Sequence, residues 1–178
     1  MRLQLIPALI AVSALAACAT QAPMPAAGSA ATASAPAPTP GYDWFLNTDG
    51  QEAMLAYGVA NSDEVKLRLA CQVGSSALEL TASSDKPGRE IYLESGGDTE
   101  RYRAASEPAV VHDGELLTAQ AKTKDPVFQR FRRLGWIAAW ADGERHVYAA
   151  HPAAKVQIER FFTVCGGRIG AARLACPS

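Results

Sequence analysis

Apolar and polar side chains alternate along most of the chain beyond its N-terminal segment, and this two-residue period is typical of half-buried β-strands. The clearest run spans residues 64–72, where the apolar side chains fall on one face and Lys66 and Arg68 fall on the other. Those apolar residues are Val65, Leu67, Leu69 and Cys71. The alternation breaks at Gly74 and resumes over residues 77–83, so the two segments predict a β-hairpin.

Seven more segments carry strand-like patterns between turn residues. They are residues 44–46, 54–57, 89–94, 101–104, 116–121, 136–141 and 144–149. Asp142-Gly143 separates the last two and is the sharpest hairpin signal in the chain. Both faces of 136–141 are apolar, which predicts a central strand covered on both sides. The alternative for Trp136 and Trp140, which share one face, is a stacking surface for a glycan.

Two segments instead have the period of an amphipathic helix. The first begins at Asp125-Pro126, an N-cap followed by proline, and ends at Gly135. The second is predicted at about residues 153–165, with an apolar stripe of Ile158, Phe161, Phe162 and Cys165. The sequence therefore predicts an α+β fold. We expect a mainly antiparallel β-sheet, sandwich-like or a curved sheet of short hairpins, with two short helices, the C-terminal one packed on the sheet.

The N-terminal segment has the layout of a secretory signal. Arg2 precedes an apolar run that is shorter than the roughly 20 residues of a transmembrane helix, so we expect a signal peptide over residues 1–17. The run ends in a motif that resembles the lipobox of bacterial lipoproteins. The motif is Leu15-Ala16-Ala17-Cys18. The resemblance implies that the Cys18 thiol carries a diacylglycerol, that the signal is cut just before it, and that the new N-terminus is acylated.

A low-complexity segment follows the motif. Residues 18–41 are predicted to be the lipidated cysteine and a tether, because 19–40 consist almost entirely of Ala, Pro, Ser, Thr and Gly without charge. In Gram-negative lipoproteins an Asp after the lipidated Cys commonly causes retention at the inner membrane, and Ala19 stands there instead. The resemblance therefore implies a cell-envelope protein, lipid-anchored on the periplasmic face of the outer membrane. We expect a single β-rich domain over 42–166 and a flexible tail over 167–178.

The cysteines predict one disulfide bond. An exported chain meets an oxidising compartment, and with Cys18 lipidated three cysteines remain, Cys71, Cys165 and Cys176. Cys71 and Cys165 both lie at inward-facing positions, which favours a bridge between them. The alternative is a local Cys165–Cys176 bridge, since the intervening glycines would let the tail fold back.

The net charge and the lack of catalytic or metal-binding motifs argue against several classes of function. The 178-residue chain has 17 basic and 18 acidic residues, which fits one domain and argues against a nucleic-acid partner. His112, His146 and His151 lie outside any catalytic motif, and the spacing of histidines and cysteines does not fit a metal site. We expect no enzyme activity, no cofactor and no metal. The carboxylates on predicted sheet positions, which are expected to face solvent, are Glu79, Glu90, Glu94 and Glu100.

Three arginines near the end of the first helix are a candidate binding group. Arg130, Arg132 and Arg133 could form a patch for an anionic ligand. The alternative is a solvated helix face, because cations near a helix C-terminus interact favourably with the helix dipole.

Three short segments carry a resemblance of the domain as a whole. They are Leu69-Ala70-Cys71, Phe131-Arg132-Arg133-Leu134-Gly135 and Phe161-Phe162-Thr163-Val164-Cys165-Gly166. In this order, over about residues 64–166, they resemble small periplasmic β-rich proteins of the invasion-associated locus B family and the periplasmic accessory proteins of type VI secretion. The resemblance implies a non-enzymatic protein and adds support to the Cys71–Cys165 bridge.

Together these patterns predict a lipid-anchored, non-catalytic cell-envelope protein. Its partners would be the membrane, through the lipid anchor, and an envelope protein or glycan that meets the β-rich domain. One alternative is a lysozyme-inhibitor-like lipoprotein, with Glu94-Ser95-Gly96-Gly97-Asp98 as the loop that enters a glycosidase cleft. A hydrolase acting on the envelope is less favoured, since no motif supports it.

Overall fold

The structure is a computed structural model, and it describes residues 35–110, 113–141 and 143–167. The strands are β1 Tyr42–Asp49, β2 Glu52–Val59, β3 Val65–Gln72, β4 Ala77–Ser84, β5 Glu90–Ser95, β6 Asp98–Pro108, β7 Glu115–Lys122, β8 Trp136–Ala141 and β9 Glu144–Ala149. The helices are α1 Pro126–Leu134 and α2 Lys155–Cys165, and a 3₁₀ turn over Pro152–Ala154 precedes α2.

The nine strands of the described residues form one antiparallel sheet, in the order β1-β2-β3-β4-β7-β6-β5-β8-β9. The sheet is so strongly curved that its two edges meet. The Trp44 indole Nε1 on β1 donates a hydrogen bond of 3.3 Å to the Tyr148 carbonyl oxygen on β9. The backbone N–H of His151 donates to the Asp43 carboxylate at 3.1 Å. The predicted α+β class is confirmed, in its curved-sheet form and with the C-terminal helix packed on the sheet.

Each strand predicted from alternation overlaps an observed strand, with residues 64 and 89 lying just outside β3 and β5, and several observed strands are longer than predicted. The largest difference is β6, which has 11 residues where the alternation predicts four, 101–104. Its second half contains small and polar side chains, Ala104, Ala105 and Ser106, which give no clear alternation. Pairing with β7, from Ala104↔Ala119 to Pro108↔Glu115, holds this half in the sheet. Backbone pairing, which is independent of side-chain type, therefore extends the strand beyond its apolar signal.

The concave face of the sheet and the two helices enclose the hydrophobic core. The predicted stripe of α2 is fully buried against β1 and β2. Phe162 lies at the centre of an aromatic group, with ring centroids 5.3 Å from Phe161, 5.9 Å from Phe128 and 6.1 Å from Phe131. Burying a side chain of this size contributes about 1.5–3 kcal/mol, so this group stabilises one end of the fold strongly.

A disulfide bond joins β3 to the end of α2. Cys71 and Cys165 are bonded, with their Cα atoms 5.8 Å apart, which confirms the predicted pairing. The β3–β4 turn adds main-chain hydrogen bonds to the same helix end: Gly74 N–H donates to the Val164 carbonyl at 3.0 Å, and Ser76 N–H to the Cys165 carbonyl at 2.9 Å. Cys176, the partner in the alternative pairing, lies outside the described residues.

Helix α1 begins and ends at the predicted residues, but its first turn is capped differently. The Asp125 carboxylate accepts hydrogen bonds from Lys122 N–H at 2.9 Å and from the Tyr102 hydroxyl at 3.1 Å, not from the helix. Glu100 on β6 caps the helix instead, accepting the Val127 N–H at 2.7 Å. The expectation that Glu100 faces solvent is therefore wrong, because it lies on the inner side of β6 with Tyr102.

The prediction of a central β8 covered on both faces is only partly right, because Ala138 on its outer face is buried but the two tryptophans of that face are not fully covered. Strand β8 lies between β5 and β9, and its inner residues Ile137 and Ala139 are buried. On the outer face, however, Trp140 is 42% exposed, and the Trp136 ring is only partly covered by the Arg145 guanidinium, 5.7 Å from the ring centroid. The physical reason is that both helices pack on the inner side of the sheet.

Several predictions lie outside the described residues. These are the signal peptide, Cys18, most of the tether, His112 and the tail beyond residue 167. Within the described part of the chain, neither helix has the length and hydropathy needed to cross a membrane.

Candidate functional site

The end of the curved sheet that lies away from the disulfide opens into a cleft of about 1040 Å³. Strand β3 runs from this cleft, at Val65, to the disulfide, at Cys71. We call this space the tyrosine cleft, after three of the side chains that line it: Tyr42, Tyr57 and Tyr148. The ends of β1, β2, β3, β4, β8 and β9 and the loop between β2 and β3 supply its walls.

Tyr57 is the deepest of the three tyrosines. It continues the inward-facing positions of β2, after Ala53 and Leu55, and is 2% exposed. Its ring centroid lies 5.8 Å from that of Tyr42, 5.3 Å from Trp44 and 4.9 Å from Tyr148. The aromatic contacts fix the ring, and the residue lines the cleft where the core ends.

The Tyr57 hydroxyl has no hydrogen-bond partner among the described residues, although it is fully buried. Leaving such a group unsatisfied costs about 1–3 kcal/mol, and native proteins seldom tolerate it without a reason. A phenol hydroxyl can both donate and accept. Burial, together with the neighbouring Tyr57, raises the pKa of the Tyr148 hydroxyl, so the Tyr148 phenol stays protonated at neutral pH.

A β-bulge next to Tyr57 shapes the mouth of the cleft. The register between β2 and β3 shifts between Tyr57 and Gly58. A Cβ atom at Gly58 would overlap the Glu64 carbonyl oxygen, so only glycine permits this close approach. The Val59 N–H donates to the same carbonyl at 3.1 Å, which holds residues 59–64 as a tight rim. Bulges often occur beside functional sites because they redirect side chains.

Carboxylates are prominent among the residues that line the cleft. The Glu64 carboxylate accepts a hydrogen bond from the Tyr42 hydroxyl and forms an ion pair with Lys66 at 3.1 Å. The Tyr42 hydrogen bond, and then the one from Lys66, hold the pKa of Glu64 below its usual value, so this carboxylate is ionised at neutral pH. Three more carboxylates line the cleft, those of Asp63, Asp85 and Asp113.

Arg145 and His146 from β9 also line the cleft. Arg145 makes a bidentate ion pair with Glu94 on β5, at 2.5 and 2.8 Å. The ion pair lowers the pKa of Glu94, and the Glu94 carboxylate neutralises the positive charge of Arg145. The ionisable side chains that line the cleft therefore comprise four carboxylates, two cations and one histidine.

Among the described residues, the serines of the cleft do not pair with its histidine. Both serines hydrogen-bond main-chain carbonyls: Ser83 donates to Val65 at 2.8 Å, and Ser84 to Lys86 at 2.8 Å. Neither of these bonds involves His146, as a nucleophile–base pair would require. Among the described residues there is also no group of three or more metal-ligating side chains.

The arginines singled out in the sequence lie away from this cleft. Arg130 is 17% exposed and bonds the Ser95 carbonyl at 2.6 Å and the Glu100 carboxylate at 3.3 Å. Arg132 pairs with Glu159 on α2. Two of the three arginines thus connect elements of the fold, and an anion at Arg130, Arg132 and Arg133 would have to compete with these carboxylates.

No family model, curated protein or solved structure matches the chain. The resemblances to lipoproteins, to the invasion-associated locus B family and to type VI secretion accessory proteins therefore stay predictions. Sequence patterns did not reveal the tyrosine cleft, because Tyr57 and Tyr148 occupy ordinary inward-facing strand positions. The sequence did contain one signal. Tyr57 and Tyr148 are tyrosines at inward-facing positions near strand ends, where phenylalanine would fill the core equally well without a hydroxyl group.

Proposed function

We propose that this chain is a lipid-anchored, non-catalytic envelope protein whose domain binds an organic ligand in the tyrosine cleft. The observation that carries the proposal is that Tyr57, a residue that lines the cleft, has a buried hydroxyl without a partner in the described residues. A ligand that hydrogen-bonds this group would remove the cost of leaving it unsatisfied.

The shape of the cleft supports the same function. Pockets for small organic ligands have volumes of roughly 300–1,000 Å³, aromatic walls and a few well-placed polar groups. The tyrosine cleft has about 1040 Å³, three tyrosine rings and an ionisable rim. Ring contacts of Tyr57 with Tyr42 and Tyr148 hold the aromatic walls in place before a ligand binds.

The N-terminal pattern supports the location. A triacylated Cys18 would anchor the chain stably, because one acyl chain alone binds membranes only marginally. A proline-rich tether over residues 18–41 would then let the cleft sample the space within roughly 70 Å of the bilayer, at about 3.1 Å per residue in an extended conformation. Replacing Cys18 with Ser should abolish lipid labelling and leave an uncleaved or soluble form. A mature N-terminus elsewhere would contradict the anchor.

The polar turn between β5 and β6 supports the lysozyme-inhibitor alternative less well. Its Glu94 is paired with Arg145, and the Ser95 hydroxyl donates to the Trp136 carbonyl at 2.8 Å. Arg130 bonds the Ser95 and Asp98 carbonyl oxygens. A loop that enters a partner's cleft needs free polar side chains, and most of these are occupied within the protein.

Native mass spectrometry of the chain purified from its own envelope tests the function. The wild-type chain should carry a small molecule in addition to its lipid mass. The Tyr57→Phe variant should lose it, and Tyr92→Phe should keep it, because Tyr92 lies on the outer face and its hydroxyl bonds Glu90. Equal masses for the wild type and Tyr57→Phe would contradict a ligand held by the Tyr57 hydroxyl.

A further inference from the structure

We infer that the ligand of the tyrosine cleft is an organic cation, a molecule with at least one protonated amine. This inference rests on the proposed function of the cleft as a ligand site and adds the chemical class of the ligand. It is carried by the carboxylates that line the cleft together with the buried, unpartnered Tyr57 hydroxyl.

The charge around the cleft favours a cation. Both cationic side chains that line the cleft are already paired, Lys66 with Glu64 at 3.1 Å and Arg145 with Glu94 at 2.5 Å. The Asp63 carboxylate, in contrast, has neither an ion pair nor a side-chain hydrogen bond within the described residues. A cleft with excess negative charge concentrates cations and repels anions.

The aromatic walls favour the same ligand. Tyrosine rings attract ammonium groups through their negative faces, and Tyr42, which is half-buried, lies at the mouth of the cleft beside Glu64. The Tyr57 hydroxyl oxygen can accept a hydrogen bond from an ammonium N–H. An inorganic ammonium ion would fill only a small part of about 1040 Å³, so the ligand needs an organic body that contacts the rings.

A matched series of three five-carbon probes tests this inference: 1,5-diaminopentane, 1,5-pentanediol and glutarate. They have the same length and are doubly positive, neutral and doubly negative at neutral pH. We would titrate each into the purified full chain and follow the NMR shifts of the backbone amides of Tyr57 and Tyr148. The diamine should bind at least about tenfold more tightly than the diol, and the difference should shrink in high salt, which screens charge.

Two variants locate the effect. Asp63→Asn should weaken diamine binding by about twofold to fivefold, the range of one solvent-exposed charge pair, and leave diol binding unchanged. Asp49→Asn is the matched control, because Asp49 is exposed at the other end of β1 and should have no effect. Equal losses from both variants would overturn the inference, since the charge effect would then belong to the whole protein.

The other outcomes separate this inference from the proposed function. If the diol shifts the NMR signals of the cleft amides as strongly as the diamine does, the cleft does not select its ligand by charge. The inference of a cationic ligand is then wrong, while the cleft remains a ligand site. If the diamine leaves the cleft amides unchanged, the inference is also wrong. The mass of the chain purified from its envelope then decides independently whether the cleft holds any ligand.

Discussion

The two ends of the curved sheet differ in how the core is closed and in whether its buried polar groups have hydrogen-bond partners. At the disulfide end, the Cys71–Cys165 bond and the rings around Phe162 close the core, and the turn N–H groups of Gly74 and Ser76 bond the end of α2. At the cleft end the core finishes in tyrosines, and the hydroxyl of Tyr57 has no partner in the described chain. The comparison indicates that the first end supplies stability, which lets the second carry a polar group that costs stability.

The seam between β1 and β9 shows that the cleft end can satisfy buried donors. Trp44 neighbours Tyr57, with ring centroids 5.3 Å apart, and its indole N–H bonds the Tyr148 carbonyl across the seam. The unpartnered hydroxyl is therefore a local property of Tyr57. A phenylalanine at this position would fill the same space without the unsatisfied group.

The largest expected effect comes from emptying the core at the disulfide end. Phe162→Ala should lower the free energy of unfolding by about 3–5 kcal/mol, because it removes a fully buried ring and leaves a cavity. Tyr42→Ala at the cleft end should cost clearly less, because Tyr42 is only half-buried. Urea unfolding measures both variants. Equal losses would show that the two ends contribute alike.

Removing the disulfide should have the next largest effect. The bond closes a loop with a sequence separation of 94 residues, and its loss should lower the free energy of unfolding by about 2–5 kcal/mol. The double variant Cys71→Ala with Cys165→Ala is compared with Cys176→Ser, which should unfold like the wild type. A non-reducing peptide map gives the pairing directly, and recovery of a Cys165–Cys176 peptide would contradict it.

Alkaline pH should destabilise the fold through one tyrosine near each end. Burial raises the pKa of Tyr148 and of Tyr102, and the carboxylates of Asp125 and Glu100 raise that of Tyr102 further. Both phenols titrate near pH 10 when unfolded, so the stabilisation is present below about pH 10 and is lost as the pH rises above it. Each tyrosine should add about 1.4 kcal/mol per pH unit to the decline.

The urea midpoint between pH 8 and pH 11 measures this decline. Tyr148→Phe and Tyr102→Phe should each make it shallower, and Tyr92→Phe should not, because Tyr92 is exposed. A decline that is unchanged in both buried-site variants would show that these two hydroxyls do not resist ionisation in the folded protein.

Local patterns in the sequence predicted most of the fold. Alternation located the strands, and the α2 stripe placed Cys165 on the face that meets the sheet, which predicted its bond to Cys71. Local patterns could not predict the sheet order, in which β7 lies between β4 and β6 and β8 lies beside β5. They also missed the cap of α1, because Glu100 reaches Val127 only after β6 has joined the sheet.

The candidate site was the least predictable part of the molecule. Tyr42, Tyr57 and Tyr148 come from three strands, and nothing in their spacing brings them to one cleft. Whether a hydroxyl at an inward position has a partner depends on side chains distant in sequence. The arginines of α1, which the sequence did single out, form a cluster in the chain but have separate partners, Glu100 for Arg130 and Glu159 for Arg132.

Tyr57→Phe is expected to change stability least, and it tests most directly whether the cleft binds a ligand through the Tyr57 hydroxyl. Because the Tyr57 hydroxyl has no partner in the described structure, its removal should leave the free energy of unfolding unchanged or raise it by up to about 1–3 kcal/mol. The same variant should bind 1,5-diaminopentane more weakly than the wild type, with urea unfolding and the NMR titration as the paired measurement. The contradicting result has two parts. Tyr57→Phe would lower the free energy of unfolding by more than about 1 kcal/mol, the scale of one net hydrogen bond, and it would bind the diamine as tightly as the wild type does. Together these results would contradict a cleft that binds a ligand through the Tyr57 hydroxyl.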